Sequence, residues 1–322
     1  MSFGTKWTLV LGSLLLPTTV FSQDINPVQI RTVTEKPDYC YQAGKLFDPE
    51  VLQANKQREI EGLRVSASMG DEQSQYLMGS LYRLGEKHPA NLFAEDSAKA
   101  KVFLSNAAIA GNYQAMAGMA EIELKNKNYR DAMLWAQVFA HYSEIDALKR
   151  KDTGNQAYQA YLLQRIMQFT NKDKKLYSDQ VFREDLLNFH ASYNHRIMSN
   201  RSDEKKKAEA LKYASCLNET KSGPGTIIEM VSGPNINAGE MTARKMKSPG
   251  YAMFLLLIDS KGNVLRAITV DSLPDASYAR ALGSVAKRLR FNEVAGPEIR
   301  SAYLPLSFDD FSVAMKKVPA KK

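Results

Sequence analysis

The chain changes its hydrophobic rhythm several times. Residues 7–16 (WTLVLGSLLL) form a continuous apolar run that ends at Pro17. Residues 23–55 carry Pro27, Pro37 and Pro49 and few periodic apolar positions, which predicts an irregular lead-in. Residues 56–218 are dominated by Ala, Leu, Met, Lys and Glu, with no proline between Pro89 and Pro224. That composition and its apolar spacing favour helix. Helices are expected in the 60–140 region, over 158–169 and over 178–193, and an exposed charged helix over 199–213. The cluster Lys221, Gly223, Pro224, Gly225 predicts a domain boundary. Beyond it the period falls to two. Residues 251–258 (YAMFLLLI) and 264–270 (VLRAITV), joined by DSKGN, predict a hairpin. Met253, Leu255 and Leu257 share one of its faces, and Phe254, Leu256 and Ile258 the other. Both faces are therefore apolar: one calls for a packed helix, the other for a second cover, either the helical region or a partner. A helix N-capped by Asp275, with a stripe of Tyr278, Ala281, Leu282, Val285 and Leu289, follows. Arg280, Lys287, Arg288 and Arg290 fall largely off that stripe. A third strand is expected over 299–308. The predicted fold class is an all-α helical repeat solenoid followed by a small α+β domain with a three-stranded antiparallel sheet and one packed helix.

Small residues recur inside the helical region. Ala67-x-x-Gly70 returns as Ala108-x-x-Gly111, and Lys99-Ala100-x-x-Phe103 returns as Asp131-Ala132-x-x-Trp135. A period in the thirties to forties with paired helices is a sign of a stacked repeat. Gly79 and Gly118 lie mid-helix, where Gly costs about 1 kcal/mol against Ala, a cost tolerated where two helices approach closely. Tyr82, Phe103 and Trp135 are expected to fill the gaps between neighbours. Gly70 and Gly111 fall where a left-handed helix C-terminus suits Gly. These residues resemble the Sel-one-like repeat, a relative of the tetratricopeptide repeat, through Met78-Gly79-x-x-Tyr82-x-x-Gly85, Asp96-x-x-Lys99-Ala100 and Ala107-Ala108-x-x-Gly111. The second copy departs, because Gly118 lacks a Tyr at the family spacing. The resemblance implies a scaffold that binds other proteins on a curved face, usually without catalysis.

Residues 225–311 resemble the C-terminal domain of TonB-type energy transducers. The resemblance rests on Gly250, Ile258-Asp259-x-x-Gly262-x-Val264, Leu289-Arg290-Phe291 and Leu304-Pro305-Leu306-x-Phe308. It implies a periplasmic module that binds proteins, in true transducers the plug segments of outer-membrane receptors. Family members add a peptide strand to a sheet edge. Tyr303, Leu304, Leu306 and Ser307 are the candidate partner-binding strand. Pro305 among them reads equally as self-protection of that edge. An uncleaved membrane helix and a long Pro-rich spacer are the marks of a transducer; here a helical region stands in the spacer's place.

Lys6 before the apolar run, and Val20 and Ser22 after Pro17, have the order of a secretory signal, 1–22, cleaved after Ser22. The run is shorter than the roughly 20 residues a spanning helix needs. The expected compartment is the periplasm. The net charge of +8 is compatible with general solubility or with an anionic surface, as is the basic tail 312–322. Export argues against nucleic acid. In an oxidising compartment Cys40 and Cys216 are expected to form one disulfide, worth about 4–5 kcal/mol by chain entropy; two buried thiols are the alternative.

Little in the sequence points to chemistry. His190 and His195 are five apart rather than four. No Cys pair has metal spacing, and no nucleophile elbow or phosphate-binding Gly loop occurs. The sequence therefore predicts no catalytic residues, metal or cofactor. It predicts a non-enzymatic periplasmic adaptor whose partners are envelope proteins, an outer-membrane receptor among the candidates. No integral membrane segment is expected after cleavage, and a dimer through the sheet is one option. The competing readings are an accessory or transducer of TonB-dependent transport, and an envelope enzyme acting on peptidoglycan.

Overall fold

The computed structural model describes residues 41–150, 156–173, 177–201, 230–232, 248–293 and 299–308. The signal segment, Cys40, Cys216, most of the charged 199–213 stretch, the expected boundary near 221–225 and the basic tail lie outside the described residues.

A helical layer comes first. It comprises α1 (Ala43–Phe47), α2 (Gln57–Ser68), α3 (Glu72–Leu84), α4 (Ser97–Ile109), α5 (Tyr113–Lys125), α6 (Tyr129–Arg150), α7 (Gln156–Thr170) and α8 (Asp179–Asn200). From α1 to α7, each helix packs on the next in chain order. The starts are fixed by side-chain caps: Asp71, Asp96, Asn112 and Ser178 accept from the backbone N–H of Ser74, Lys99, Ala115 and Val181. Gly70 and Gly111 follow helices with φ of 85° and 111°, as their spacing predicts. The lead-in is less irregular than expected. Leu46 and Phe47 are fully buried, and that burial holds a short helix that composition alone does not favour.

Gly79 and Gly118 both face one side chain. A Cβ at Gly79 would lie 2.5 Å from Leu104 Cγ, and one at Gly118 would lie 3.1 Å from Leu104 Cδ1. Leu104 of α4 is thus wedged between α3 and α5, which explains both mid-helix glycines. Tyr82 stacks on Phe103 with centroids 6.0 Å apart, and Trp135 meets Phe189 edge-on at 5.4 Å.

The α+β part contains β1 (Met230–Ser232), β2 (Gly250–Asp259), β3 (Val264–Leu273), α9 (Ser277–Ala286), β4 (Arg290–Phe291) and β5 (Ile299–Phe308). The main sheet is antiparallel with order β3-β2-β5, and β1 pairs separately with β4. Strand β5 runs along the whole of β2, from Gly250 opposite Phe308 to Asp259 opposite Ile299. The expected stripe of α9 is buried. Asp275 is not the N-cap: its carboxylate accepts from the Ser277 N–H (2.8 Å), one residue outside the cap Ala276. A carboxylate bonding two residues ahead makes a local turn instead.

The two sheet faces have different covers. Ala252, Phe254, Leu256 and Ile258 pack with Tyr278, Leu282 and Val285 of α9. Tyr251, Met253, Leu255, Ile268, Val270 and Leu273 join the core of the helical layer. The second cover called for by the sequence is therefore this chain's own helices, and that face is occupied without a partner. The register slips at Val270: Phe254 opposes Thr269, but Met253 opposes Asp271. This extra residue is a bulge. It turns Asp271 and Leu273 onto the face that meets the helices.

Candidate functional site

Two polar constellations sit where the sheet meets the helices. In the first, Asp271 accepts from the Tyr76 hydroxyl (2.6 Å) and from Arg83 Nη2 (2.6 Å). Arg83 also donates to the carbonyls of Ser272 (2.7 Å) and Pro274 (3.4 Å). Burial, then the Asp271 charge, push the phenols of Tyr76 and Tyr251 far above their ordinary pKa. Nearby, His88 Nδ1 accepts from the Ala90 N–H (3.0 Å), so its other nitrogen, Nε2, donates to the Val270 carbonyl (3.0 Å). Burial lowers the His88 pKa to about 4, so the ring is neutral near pH 7. In the second constellation, Glu121 accepts from the Tyr158 hydroxyl (2.7 Å) and Arg165 Nη1 (2.6 Å). The Tyr158 ring meets Tyr251 edge-on at 5.9 Å. The Asp271 clamp and the His88–Val270 bond join the helices to the sheet, whereas Glu121, Tyr158 and Arg165 bond within the helical layer, which the Tyr158 ring joins to Tyr251. Asp271, Arg83 and Tyr76 were not singled out by the sequence; only the bulge brings them together.

The candidate strand lies at the open side of the sheet. Among the described residues β5 has one strand neighbour, β2. Pro305 opposes Met253. Having no N–H, it costs the ladder nothing if its backbone faces outward. Antiparallel alternation then also turns the N–H groups of Ser301 and Tyr303 outward. Leu304 and Leu306 are half-buried and pack towards α9. They anchor the strand rather than offer a surface, unlike Tyr303 and Ser307, which are exposed. Tyr303 as a residue is 40% exposed, while burial of its phenol, then the charge of Asp71, raises its pKa. Arg300 anchors the other face. It is buried, and its guanidinium donates to the backbone carbonyls of Asp259 (3.2 Å) and Asn292 (2.6 Å).

A groove of about 390 Å³ opens between α6, α7 and α8, lined by Met133, Met167, Tyr177, Phe182 and Leu186, with Asp179 and Arg183 among its titratable groups. Among the described residues no cluster of three or more His, Cys, Asp or Glu could hold a metal, and no helix is long and apolar enough to cross a membrane. Among the described residues, these features define a helical layer fused to a small α+β sheet whose edge strands are β3 and β5, with β5 the more exposed. Comparison with protein-family models, curated proteins and solved structures finds no match.

Proposed function

We propose that this chain is an exported, periplasmic adaptor of the cell envelope, built from Sel-one-like helical repeats and a TonB-like α+β domain, that binds an extended segment of a partner protein along β5. The carrying observation is that both faces of the sheet are covered from within the chain, while β5, the more exposed of the two edge strands, has only β2 beside it among the described residues. An extended peptide satisfies outward N–H and C=O groups without side-chain specificity, and exposed side chains beside it select the sequence. Tyr303 is the side chain best positioned for that selection. The repeat-like helices serve as the rigid backing of the sheet and offer the α6–α8 groove to a second partner.

The test is photo-crosslinking in intact cells from probes at Ser301 and Tyr303, with a control probe at exposed Gln57 of α2, away from both the groove and β5. Adducts with an envelope protein from the β5 probes, and none from Gln57, are expected. Adducts from Gln57 only, or none, would contradict the reading. Mass spectrometry of the mature chain supplies an independent check of export. Gln23 is the expected N-terminus; a membrane-bound chain retaining Met1 would rule out a soluble adaptor.

A further inference from the structure

The hairpin tip and the chain around it form a surface distinct from the middle of β5. Three large apolar side chains are exposed there. Leu265, the second bulge residue of β3, is 51% exposed; Val231 of β1 is 68% exposed; Ile299, opposite Asp259, is 42% exposed. They lie at the same end of the sheet because the Phe291 N–H donates to the Gly262 carbonyl (2.9 Å), Asn263 bridges to Arg290, β1 pairs with β4, and Ile299 pairs with Asp259 at the base of the turn. Exposed cations surround them: Lys261 at the tip, Arg290 on β4, and Lys287 and Arg288 at the end of α9. Lys261, Lys287 and Arg290 close no salt bridge with a described carboxylate. The described carboxylates at this end are Asp259 and Glu293, together with Asp48 and Glu50, both of which pair with Arg266, the residue after Leu265 (2.6 and 3.0 Å). Asp259 is engaged by the Asn263 backbone N–H (2.7 Å) and side-chain amide (2.8 Å).

We infer that this end of the α+β domain docks on an anionic phospholipid surface, with Leu265, Val231 and Ile299 entering the interface and Lys261, Lys287, Arg288 and Arg290 meeting headgroup phosphates. An acidic protein would account for the cations. It leaves three exposed apolar side chains, at the same end of the sheet as those cations, without a purpose. An interfacial membrane contact uses both kinds of group: apolar insertion supplies depth, and cations supply attraction to the anionic surface. Docking in this way would hold the β5 edge beside the bilayer.

The test is co-sedimentation of the full chain with vesicles of phosphatidylcholine alone or of equimolar phosphatidylcholine and phosphatidylglycerol. All variants share the apolar N-terminal segment, so differences between them report on this surface. Binding is expected to the anionic vesicles and to weaken as salt rises. Each cation removed should weaken it about fivefold, so K261Q/R290Q should bind about 25-fold more weakly. Leu265→Ser should weaken it about five- to tenfold. Leu265→Trp should show blue-shifted emission on anionic vesicles alone. Far-UV circular dichroism checks that each variant is folded. Undiminished binding to anionic vesicles by folded K261Q/R290Q, or by folded Leu265→Ser, would overturn the inference. So would binding to polyglutamate without binding to vesicles, which would assign the surface to an acidic protein. None of these outcomes bears on whether β5 takes a peptide.

Discussion

Asp271 shows how one residue can join two parts of a chain. Breaking a buried ion pair by removing one partner typically costs about 3–5 kcal/mol, because the other charge stays buried. Asp271→Ala strands Arg83 and should lower the unfolding free energy, read from the denaturation midpoint, by an amount in that range, whereas Tyr76→Phe removes one hydroxyl and should cost about 1–2 kcal/mol. A midpoint unchanged in Asp271→Ala would mean that the clamp does not hold the interface. His88 makes a prediction in pH. Its folded pKa lies below its ordinary value, so between about 6.5 and 4 the unfolded chain binds the extra proton. Its stabilising contribution is therefore complete above about 6.5 and is lost as pH falls towards 4, by about 3 kcal/mol in all. Measured midpoints should fall over that window, and less so in His88→Gln. These residues were hard to read in the sequence for a geometric reason. Strict alternation from Ile268 puts Asp271 on the α9 face, and only the bulge at Val270 reverses it. A bulge leaves no mark in a run such as VLRAITVDSL.

At the scale of elements, what the sequence reveals follows from cost. A mid-helix glycine is unfavourable and so carries information, and Gly79 and Gly118 do mark a close approach, both to Leu104. Gly79→Ala adds a Cβ 2.5 Å from Leu104 Cγ. Overpacking costs about 1–3 kcal/mol, against a gain of about 1 kcal/mol in helix propensity. A net loss is expected, smaller or absent for Gly118→Ala, where the contact is 3.1 Å. Leu104→Val in the Gly79→Ala background should recover part of the loss in a double-mutant cycle; strict additivity would show that the contact is not the cause. The hairpin and third strand were legible because both hairpin faces are apolar over a full strand length. Strand β5 was legible as an edge from Pro305. Helix α1 and the β1–β4 pair were not, because each is only a few residues long and is held by tertiary contacts.

At the scale of the molecule, the sheet and the helices share one core, which the sequence allowed but did not decide. Excising residues 225–322 would expose Tyr251, Met253, Leu255, Ile268, Val270 and Leu273 together. An apolar sheet face of that kind favours association, so the fragment should elute as oligomers or precipitate; a stable monomer would show that the helices are dispensable. The central claim is that the fused molecule offers partners an open strand edge. Residue-resolved amide hydrogen exchange on the protein alone tests it most directly. The amides of Ala302 and Leu304 should be strongly protected by β2, and those of Ser301 and Tyr303 should exchange close to solvent rates. If Ser301 and Tyr303 are as protected as Leu304, the edge is already paired and the strand cannot be the docking site.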